Sequence, residues 1–369
     1  MSQRTFCIRV PGKLMIAGEY AVLEPNHKGI VVAVDRYITA HISFSDKNQL
    51  SLPQLGLENI TWQIKDGKVA FDAKDSQLNF IQNAISVASL YLQEKSLNLR
   101  KFQLKIESQL NNAESGIKYG LGSSAAIVVA VISAILSIHC TDKKDLDPDK
   151  IFKLSAIVHL KTQGNGSGAD IAAAVYGGWL QYSTFNTQWI INQIETGVKV
   201  SELVKKQWPN LYIASLIPPS GLRLAVGWTK EAASTKAMID SIYDFRRKNP
   251  QAYEEFLRES AKSVEGIIES FRTDNIDEAI KYLRLNRKAL NNLGERAGLE
   301  IETEKLKMLC SIADVYGSGK PSGAGGGDCG IAFLQDTAKI QDLYNDWQQE
   351  NIVPLDLKVS RQGLSIFNI

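Results

Sequence analysis

The chain has 369 residues, of which 44% are hydrophobic and 22% are charged, and its formal charge is +2. This length exceeds what one typical core needs, so we expect two compact domains. The small net charge and the lack of a long Lys/Arg run argue against a nucleic-acid-binding protein.

Cysteine usage and hydropathy bear on the compartment. The four cysteines are scattered without a CxxC pair, which predicts neither a disulfide framework nor a zinc site. Lys13 and Glu19 interrupt the apolar start, so no signal peptide is expected. The longest apolar run, residues 125–138, is shorter than the roughly 20 residues of a membrane span. We expect a soluble, cytoplasmic protein without membrane partners.

The first predicted elements are strands followed by a helix and another strand. Strands are predicted at residues 5–10, 30–34 and 37–44, the last from alternating apolar residues. Ser76 is predicted to cap a helix whose apolar face runs from Leu78 to Leu92. A further strand is predicted from Phe102 to Ile106.

A glycine-serine turn and three helices come next. The turn at residues 120–124 precedes the apolar run, which reads as a buried helix. Asp147 as N-cap and Pro148 at the first position predict a second helix ending near Gly164. A short helix from Ala169 leads into a strand at residues 179–185. We place the domain boundary there, giving domains 1–187 and 188–369.

The second half is richer in helix. Apolar spacing predicts helices over residues 256–271 and 276–290. A strand at residues 331–334, a helix over 340–347 and an alternating strand over 353–359 close the chain. The pattern predicts an α+β pair of domains.

The glycine-serine turn has the composition of a phosphate-binding loop. Residues 118–126 read KYGLGSSAA, and the first N–H groups of the following helix have no intrahelical partner and can bind phosphate oxygens. Gly120 and Gly122 allow a close backbone approach. A hydroxyl of Ser123 or Ser124 can bind Mg²⁺.

Two alternatives remain for this turn. The serines would simply cap a buried helix, or residues 120–125 would form the GxGxxA turn of a dinucleotide site. A dinucleotide site requires a strand directly before the turn and a second strand with an acidic residue about 20 positions later. Neither strand is predicted, and a Walker A pattern is also absent.

Two further glycine-bearing segments complete a set of three. PGKLMIAGEY near the start places Lys13 in a predicted turn, and KPSGAGGGDCG occupies residues 320–330. In this order the three segments resemble the signature motifs of the GHMP kinases, a family of ATP-dependent small-molecule kinases. The GEYAVLE string and Asp328 are most similar to bacterial members that act on phosphomevalonate.

The resemblance implies a fold and a nucleotide site. It implies an N-terminal mixed βα domain, a C-terminal ferredoxin-like α/β sandwich and an active site in the cleft between them. ATP phosphates would lie on Gly120, Leu121, Gly122, Ser123, Ser124 and Ala125, with Ser124 binding Mg²⁺. The loop 322–327 would close the site from the second domain.

The resemblance also assigns a catalytic pair. Asp170 matches the carboxylate that accepts the acceptor's proton, and Lys13 matches the lysine that pairs with it and steadies the phosphoryl charge. The residues alone leave an alternative for each. Asp170 would be a carboxylate in the first turn of a helix, favoured by the helix dipole, and Lys13 would be a solvated surface lysine. His159 stands where mevalonate kinases place a Mg²⁺-binding glutamate, and we expect it to be a packed, hydrogen-bonded core residue.

A phosphorylated acceptor needs cations and backbone donors. The predicted acceptor contacts are Glu19, Tyr20, Lys105, Lys118, Asn165, Gly166, Ser167, Ser322, Gly323, Ala324 and Gly325. Alternatives are a family member that accepts an unphosphorylated alcohol such as mevalonate or homoserine, and a non-catalytic sensor on the same scaffold. A monomer or a homodimer fits either case.

Overall fold

The computed structural model describes residues 4–65, 68–73, 75, 78–113, 115–164 and 166–369. The strands of this part of the chain are β1 Thr5–Ala17, β2 Lys28–Phe44, β3 Gln49–Leu52, β4 Leu57–Lys65, β5 Lys68–Phe71, β6 Phe102–Ser108, β7 Trp179–Ser183, β8 Tyr212–Leu216, β9 Arg223–Trp228, β10 Gly317–Pro321, β11 Cys329–Leu334, β12 Val353–Pro354 and β13 Ser365–Asn368. The α-helices are α1 Asn79–Glu94, α2 Ser123–His139, α3 Pro148–Gln163, α4 Ala169–Tyr176, α5 Thr187–Glu195, α6 Val200–Leu203, α7 Thr235–Lys248, α8 Pro250–Arg272, α9 Ile276–Ala297, α10 Glu304–Tyr316 and α11 Ile340–Gln349.

The larger sheet is built around the long hairpin of β1 and β2. Its strand order is β13-β1-β2-β6-β3-β4-β5, with β7 pairing the other end of β2 and β8 pairing β7. Helices α2 and α4 pack against β1 and β2, while α1 and α3 pack against α2. Because α2 lies between the sheet and these helices, its residues from Ala125 to Ile138 are almost all buried. The apolar run is therefore a core helix, as predicted.

The smaller sheet has ferredoxin-like topology. Its order is β10-β11-β9-β12, and each neighbouring pair is antiparallel. Helices α7 to α10 separate β9 from β10, and α11 separates β11 from β12. This is the β-α-β-β-α-β arrangement with extra helices in the first crossover. The α+β class and the ferredoxin-like second domain are confirmed.

Several predicted elements need correction. The strands expected at 30–34 and 37–44 are one continuous strand, β2, and β1 extends to Ala17. Lys13, expected in a turn, therefore lies in β1 opposite Ala33. The strand expected over 353–359 is wrong beyond Val353–Pro354. The proposed Ser76 cap lies outside the described residues.

The failed strand has a physical explanation. Its apolar alternation reflects real burial, but its backbone bonds go to two different sheets. The N–H of Leu355 donates to Val226 in β9, whereas Val359 forms a bridge with Val34 in β2. The segment therefore crosses between the sheets and belongs to no single ladder.

The chain returns to the larger sheet after the smaller one is complete. β8 and β13 both lie beyond residue 187 and both pair in the larger sheet. The boundary after residue 187 stays a prediction.

Within the described residues, no helix has the length and hydropathy needed to cross a bilayer.

Candidate active site

The three glycine-bearing segments meet at the junction of the two sheets. The Lys13 N–H donates to the Leu121 carbonyl at 2.9 Å, which ties the first segment to the second. The Ser322 hydroxyl accepts from the Met15 N–H at 3.1 Å and donates to its carbonyl at 2.9 Å. The Tyr20 hydroxyl donates to the carbonyl of Ala324 at 2.5 Å. Segments that are far apart in sequence thus form one connected surface.

The Lys13 side chain lies against the glycine-serine turn. Gly122 has a φ of 75°, and a methyl group on its α-carbon would lie 2.8 Å from Cγ of Lys13. A glycine is needed here for both the backbone angle and the contact. Lys13 is thereby held beside the start of α2.

The start of α2 is open. Gly122 is the N-cap, no side chain caps the helix, and no acidic residue occupies its first turn. The hydroxyls of Ser123 and Ser124 form no hydrogen bond within the described residues. The alternative in which the serines cap the helix is therefore wrong. The dinucleotide alternative is also excluded, because α2 is followed by helix α3 and not by a strand.

Lys13 and Asp170 line a common cavity of about 190 Å³, which we call the first cavity. Six other predicted residues line it: Glu19, Tyr20, Gly166, Ser167, Gly323 and Ala324. Asp170 stands in the first turn of α4, after the loop that contains Ser167. The Ser167 carbonyl accepts hydrogen bonds from the hydroxyls of Tyr182 and Thr184, which fixes this loop. Asn165 lies outside the described residues.

Glu19 forms a buried ion pair across the junction. Its Oε1 accepts from the ammonium of Lys320, and the two side chains are 2% and 0% exposed. Oε2 is buried in the wall of the first cavity without a hydrogen-bond partner in the described chain. Glu19 thus connects the first segment to β10 and leaves one acceptor atom free.

His159 is buried, as expected, but it also lines the first cavity. Its ring lies 5.0 Å from that of Phe80. Burial lowers the pKa of His159, and the Asp170 carboxylate and a hydrogen bond with the Ser124 backbone oppose this. Its Nε2 is buried without a partner among the described residues. Because its pKa is lowered, the His159 ring is mainly neutral near pH 7.

Asp328 lies against the glycine-serine turn from the opposite side. A methyl group on Gly120 would lie 2.6 Å from Cβ of Asp328. Burial raises the pKa of the Asp328 carboxyl, and the Ala233 N–H and the cations Lys13 and Lys118 oppose this. Two lysines therefore lie near the loop that is expected to bind phosphates.

Four of the predicted acceptor residues lie elsewhere or are engaged. Lys105 is half exposed, pairs with Glu107 at 2.8 Å and lines a separate cavity on the larger sheet. The Ser322 hydroxyl is committed to Met15. Gly325 packs on Ile301, whose carbonyl would lie 2.2 Å from an added methyl group. Lys118 lines another cavity together with both serines.

This other cavity, which we call the second cavity, has a volume of about 280 Å³. It lies beside the open start of α2 and is lined by Leu52, Gln54, Leu55, Phe80, Ile81, Ile106, Ser108, Asn111, Lys118, Ser123, Ser124 and Ile127. Oδ1 of Asn111 is buried there with no partner in the described chain. The second cavity thus combines apolar and polar lining residues in equal number.

No local sequence pattern predicted the part of the first cavity that α7 forms. Thr235, Lys236 and Ile239 line it, yet they belong to no glycine-rich segment. The position of α7 depends on distant contacts. At its other end, Arg246 donates to Glu24 at 2.7 Å.

Comparison with known proteins agrees with this geometry. The family description "GHMP kinases N terminal domain" matches residues 79–178, and "GHMP kinases C terminal" matches residues 267–353. A phosphomevalonate kinase from Streptomyces sp. (strain CL190) is 33% identical over 98% of this chain and 99% of its own length. The chain belongs to the GHMP kinase family, so it is an ATP-dependent kinase by class.

Two solved structures share the fold over nearly the whole chain. The Lin0012 protein of Listeria innocua has a TM-score of 0.91 and 36% identity, covering 98% of this chain and 99% of its own. A Streptococcus pneumoniae phosphomevalonate kinase in complex with phosphomevalonate and AMPPNP has a TM-score of 0.82 and 28% identity, covering 96% and 99%. The two-domain GHMP kinase fold is confirmed.

Proposed function

We propose that this chain is a phosphomevalonate kinase that transfers the γ-phosphoryl group of ATP to 5-phosphomevalonate, giving 5-diphosphomevalonate and ADP. The observation that carries the proposal is the first cavity. Lys13 and Asp170 line it together with loop residues from both sheets. The full-length similarity to two phosphomevalonate kinases, one of them bound to phosphomevalonate and AMPPNP, supports the choice of acceptor.

The nucleotide is assigned to the second cavity and the start of α2. The apolar side chains of Phe80 and Ile106 in its wall suit the faces of an adenine ring. The phosphates then follow the turn 120–124, where the free N–H groups of α2 bind anions. Lys118 lies on this side and is reassigned from the acceptor to the nucleotide.

We assign Lys13 to the position where charge develops during transfer. Its contact with Gly122 puts its chain between the phosphate loop and the first cavity. Phosphoryl transfer depends mainly on positioning and on neutralising the charge of the transferring group. We assign this role to Lys13 and to the N–H groups of the turn.

Asp170 is assigned to proton transfer from the acceptor. An oxygen of the acceptor phosphate bonds to the γ-phosphorus, while the bond from that phosphorus to the β–γ bridging oxygen breaks and ADP leaves. A phosphate monoester loses its second proton near pH 6, as phosphorylated side chains do. Asp170 therefore accepts a proton only from the monoanionic form of the acceptor.

Magnesium belongs to the same proposal. The described residues contain no group of three or more His, Cys, Asp or Glu side chains that could hold a metal. Mg²⁺ often takes only one or two protein oxygens and completes its shell with phosphates and water. The free hydroxyl of Ser124 fits that pattern, and we assign Ser124 as the protein ligand. Bound Mg²⁺ would neutralise charge on the nucleotide phosphates.

Parallel assays test the proposed reaction. The purified chain is incubated with MgATP and, separately, phosphomevalonate, mevalonate, homoserine or galactose, and ADP is measured. We expect turnover with phosphomevalonate that exceeds the others by at least about 10³-fold in kcat/KM, because the phosphate supplies the attacking oxygen and charge contacts. Preferred turnover of mevalonate would show an unphosphorylated acceptor. ATP binding without turnover of any acceptor would show a sensor.

A further inference from the structure

Lys236 is a cation in the first cavity with no protein partner. Among the described residues that line this cavity, the lysines are Lys13 and Lys236. Within the described chain, Lys236 forms no ion pair and no hydrogen bond through its side chain. The residue is exposed to solvent, and an exposed, unpaired lysine in a cavity wall is available to an anionic ligand.

The helix that carries Lys236 begins beside the phosphate loop. The Asp328 N–H donates to the Glu231 carbonyl at 2.7 Å, and Oδ1 of Asp328 accepts from the Ala233 N–H at 3.4 Å. Asp328 itself packs on Gly120 of the turn. Since α7 starts at Thr235, directly after this anchored segment, its first turn lies on the nucleotide side of the first cavity.

The first turn of α7 is also open to an anion. Ser234 is the N-cap, but its side chain makes no capping bond, and the first turn contains no acidic residue. The N–H groups at the start of this 14-residue helix carry the positive end of the helix dipole. Thr235 and Lys236, both in this turn, line the first cavity.

Two residues in the wall of the first cavity each carry a buried polar atom without a partner in the described chain. Oε2 of Glu19 and Nε2 of His159 both belong to lining residues, and neither has a partner in the described chain. Glu19 and His159 are 3% and 8% exposed. Buried polar atoms are rarely left unpaired in a complete complex. Because both atoms have almost no accessible surface, a polar ligand in the cavity reaches them only after a shift of the wall.

The charge of the reactants identifies the group that Lys236 binds. The γ-phosphate of ATP and the phosphate of the acceptor must approach to bonding distance, and their negative charges repel each other. Lys13 is already placed against the nucleotide loop by Gly122. The acceptor phosphate therefore needs a second cation on the same side of the cavity, and the Glu19 carboxylate does not supply opposing charge because Lys320 neutralises it.

We propose that Lys236, together with the open first turn of α7, binds the phosphate of the acceptor and makes the enzyme selective for a phosphorylated substrate. This inference rests on the proposed function, since it concerns the acceptor of that reaction. It replaces Lys105 and Lys118, which the structure places outside the first cavity, as the cation for the acceptor phosphate.

Steady-state kinetics of three variants test this assignment. Lys236→Ala should raise the KM for phosphomevalonate about tenfold or more, as expected for loss of a charge-assisted contact, with the KM for ATP unchanged. Lys236→Arg should recover most of the loss. Lys248→Ala, an exposed lysine at the other end of α7, is the matched control and should match the wild type. Circular dichroism confirms that each variant is folded.

The pH dependence separates the phosphate from the carboxylate of the acceptor. A phosphate gains its second charge near pH 6, so the ratio of KM values between Lys236→Ala and wild type should increase as pH rises through about 6. A carboxylate is fully charged well below this pH, so a contact with it would give a constant ratio. A constant ratio, or an unchanged KM, would overturn the assignment.

The wild-type assay separates failure of the proposed function from failure of the role assigned to Lys236. Absence of turnover with phosphomevalonate in the wild type contradicts the proposed function. Normal wild-type turnover with an unaffected Lys236→Ala variant contradicts only the role of Lys236.

Discussion

The α-carbon of Gly122 packs against the side chain of Lys13, so that a methyl group there would lie 2.8 Å from Cγ and 3.0 Å from Cε of the lysine. Gly122 thus sets the position of the lysine to which we assign the neutralisation of the transferring group. Lys13 is further fixed by its own backbone bond to Leu121. The loop and the lysine form a single structural unit.

Gly122→Ala should therefore reduce turnover by displacing Lys13. A misplacement of about 1 Å in a catalytic group can cost about 10²-fold in rate, and we expect a loss of that order in kcat. Gly197→Ala is the matched control, because Gly197 has a similar φ of 81° with no atom within 4 Å of an added methyl group. It carries the same backbone strain without the contact. Equal losses of kcat in both variants would contradict the steric explanation.

Lys118→Ala should weaken the nucleotide more than the acceptor. Lys118 lines the second cavity with Ser123 and Ser124 and lies close enough to Asp328 to affect its pKa. We expect a rise of about tenfold in the KM for ATP, as for loss of one charge-assisted contact. Initial rates with each substrate varied in turn measure this. A larger rise in the KM for phosphomevalonate would return Lys118 to the acceptor side.

Asp170→Asn should give a loss of turnover that depends on pH. General-base help is worth at least about 10²-fold, but it applies only to the protonated acceptor, whose second pKa is near 6. The deficit should therefore be largest at low pH and shrink as the acceptor becomes a dianion. Profiles of kcat against pH for the two proteins measure it, with the KM for ATP as a control. A deficit that is constant with pH would exclude Asp170 as the proton acceptor.

Local sequence patterns were sufficient to predict an element when one of its faces packs against a single core. Asp147, Pro148 and Gly164 delimit α3 as predicted, because capping and helix termination are local events. The strand predicted over 353–359 is wrong beyond Val353–Pro354, because the backbone of this segment bonds first to the smaller sheet and then to the larger one. Period-two burial alone does not specify which backbone groups pair.

The candidate site divides in the same way. The turn 120–124 and Asp170 lie in segments with their own turn and helix signals, whereas Lys13 lies in β1 and not in the predicted turn; the motif resemblance is what brought the three together. Lys236 could not be predicted, because its position depends on the distant contact between Arg246 and Glu24 that holds α7. Lys105 was misplaced because a lysine in a strand faces either side of the sheet according to its register.

The ion pair of Glu19 and Lys320 provides a test of how the two sheets are held together. Removing one partner of a buried pair leaves an uncompensated charge, which costs about 3–5 kcal/mol. Lys320→Met should lower the free energy of unfolding by this amount, measured by urea denaturation. Oε2 of Glu19 already lacks a partner in the described chain, so little local compensation is available.

The double variant Glu19→Gln/Lys320→Met removes both charges and completes the comparison. Because the amide is neutral, the double variant should be more stable than Lys320→Met, and the two substitutions should show a coupling energy of about 1 kcal/mol or more, as for residues in direct contact. If the two changes in unfolding free energy were additive, Glu19 and Lys320 would not stabilise the fold through their contact. The pair would then be dispensable to the junction, and the Ser322–Met15 and Tyr20–Ala324 bonds would hold the two sheets together there.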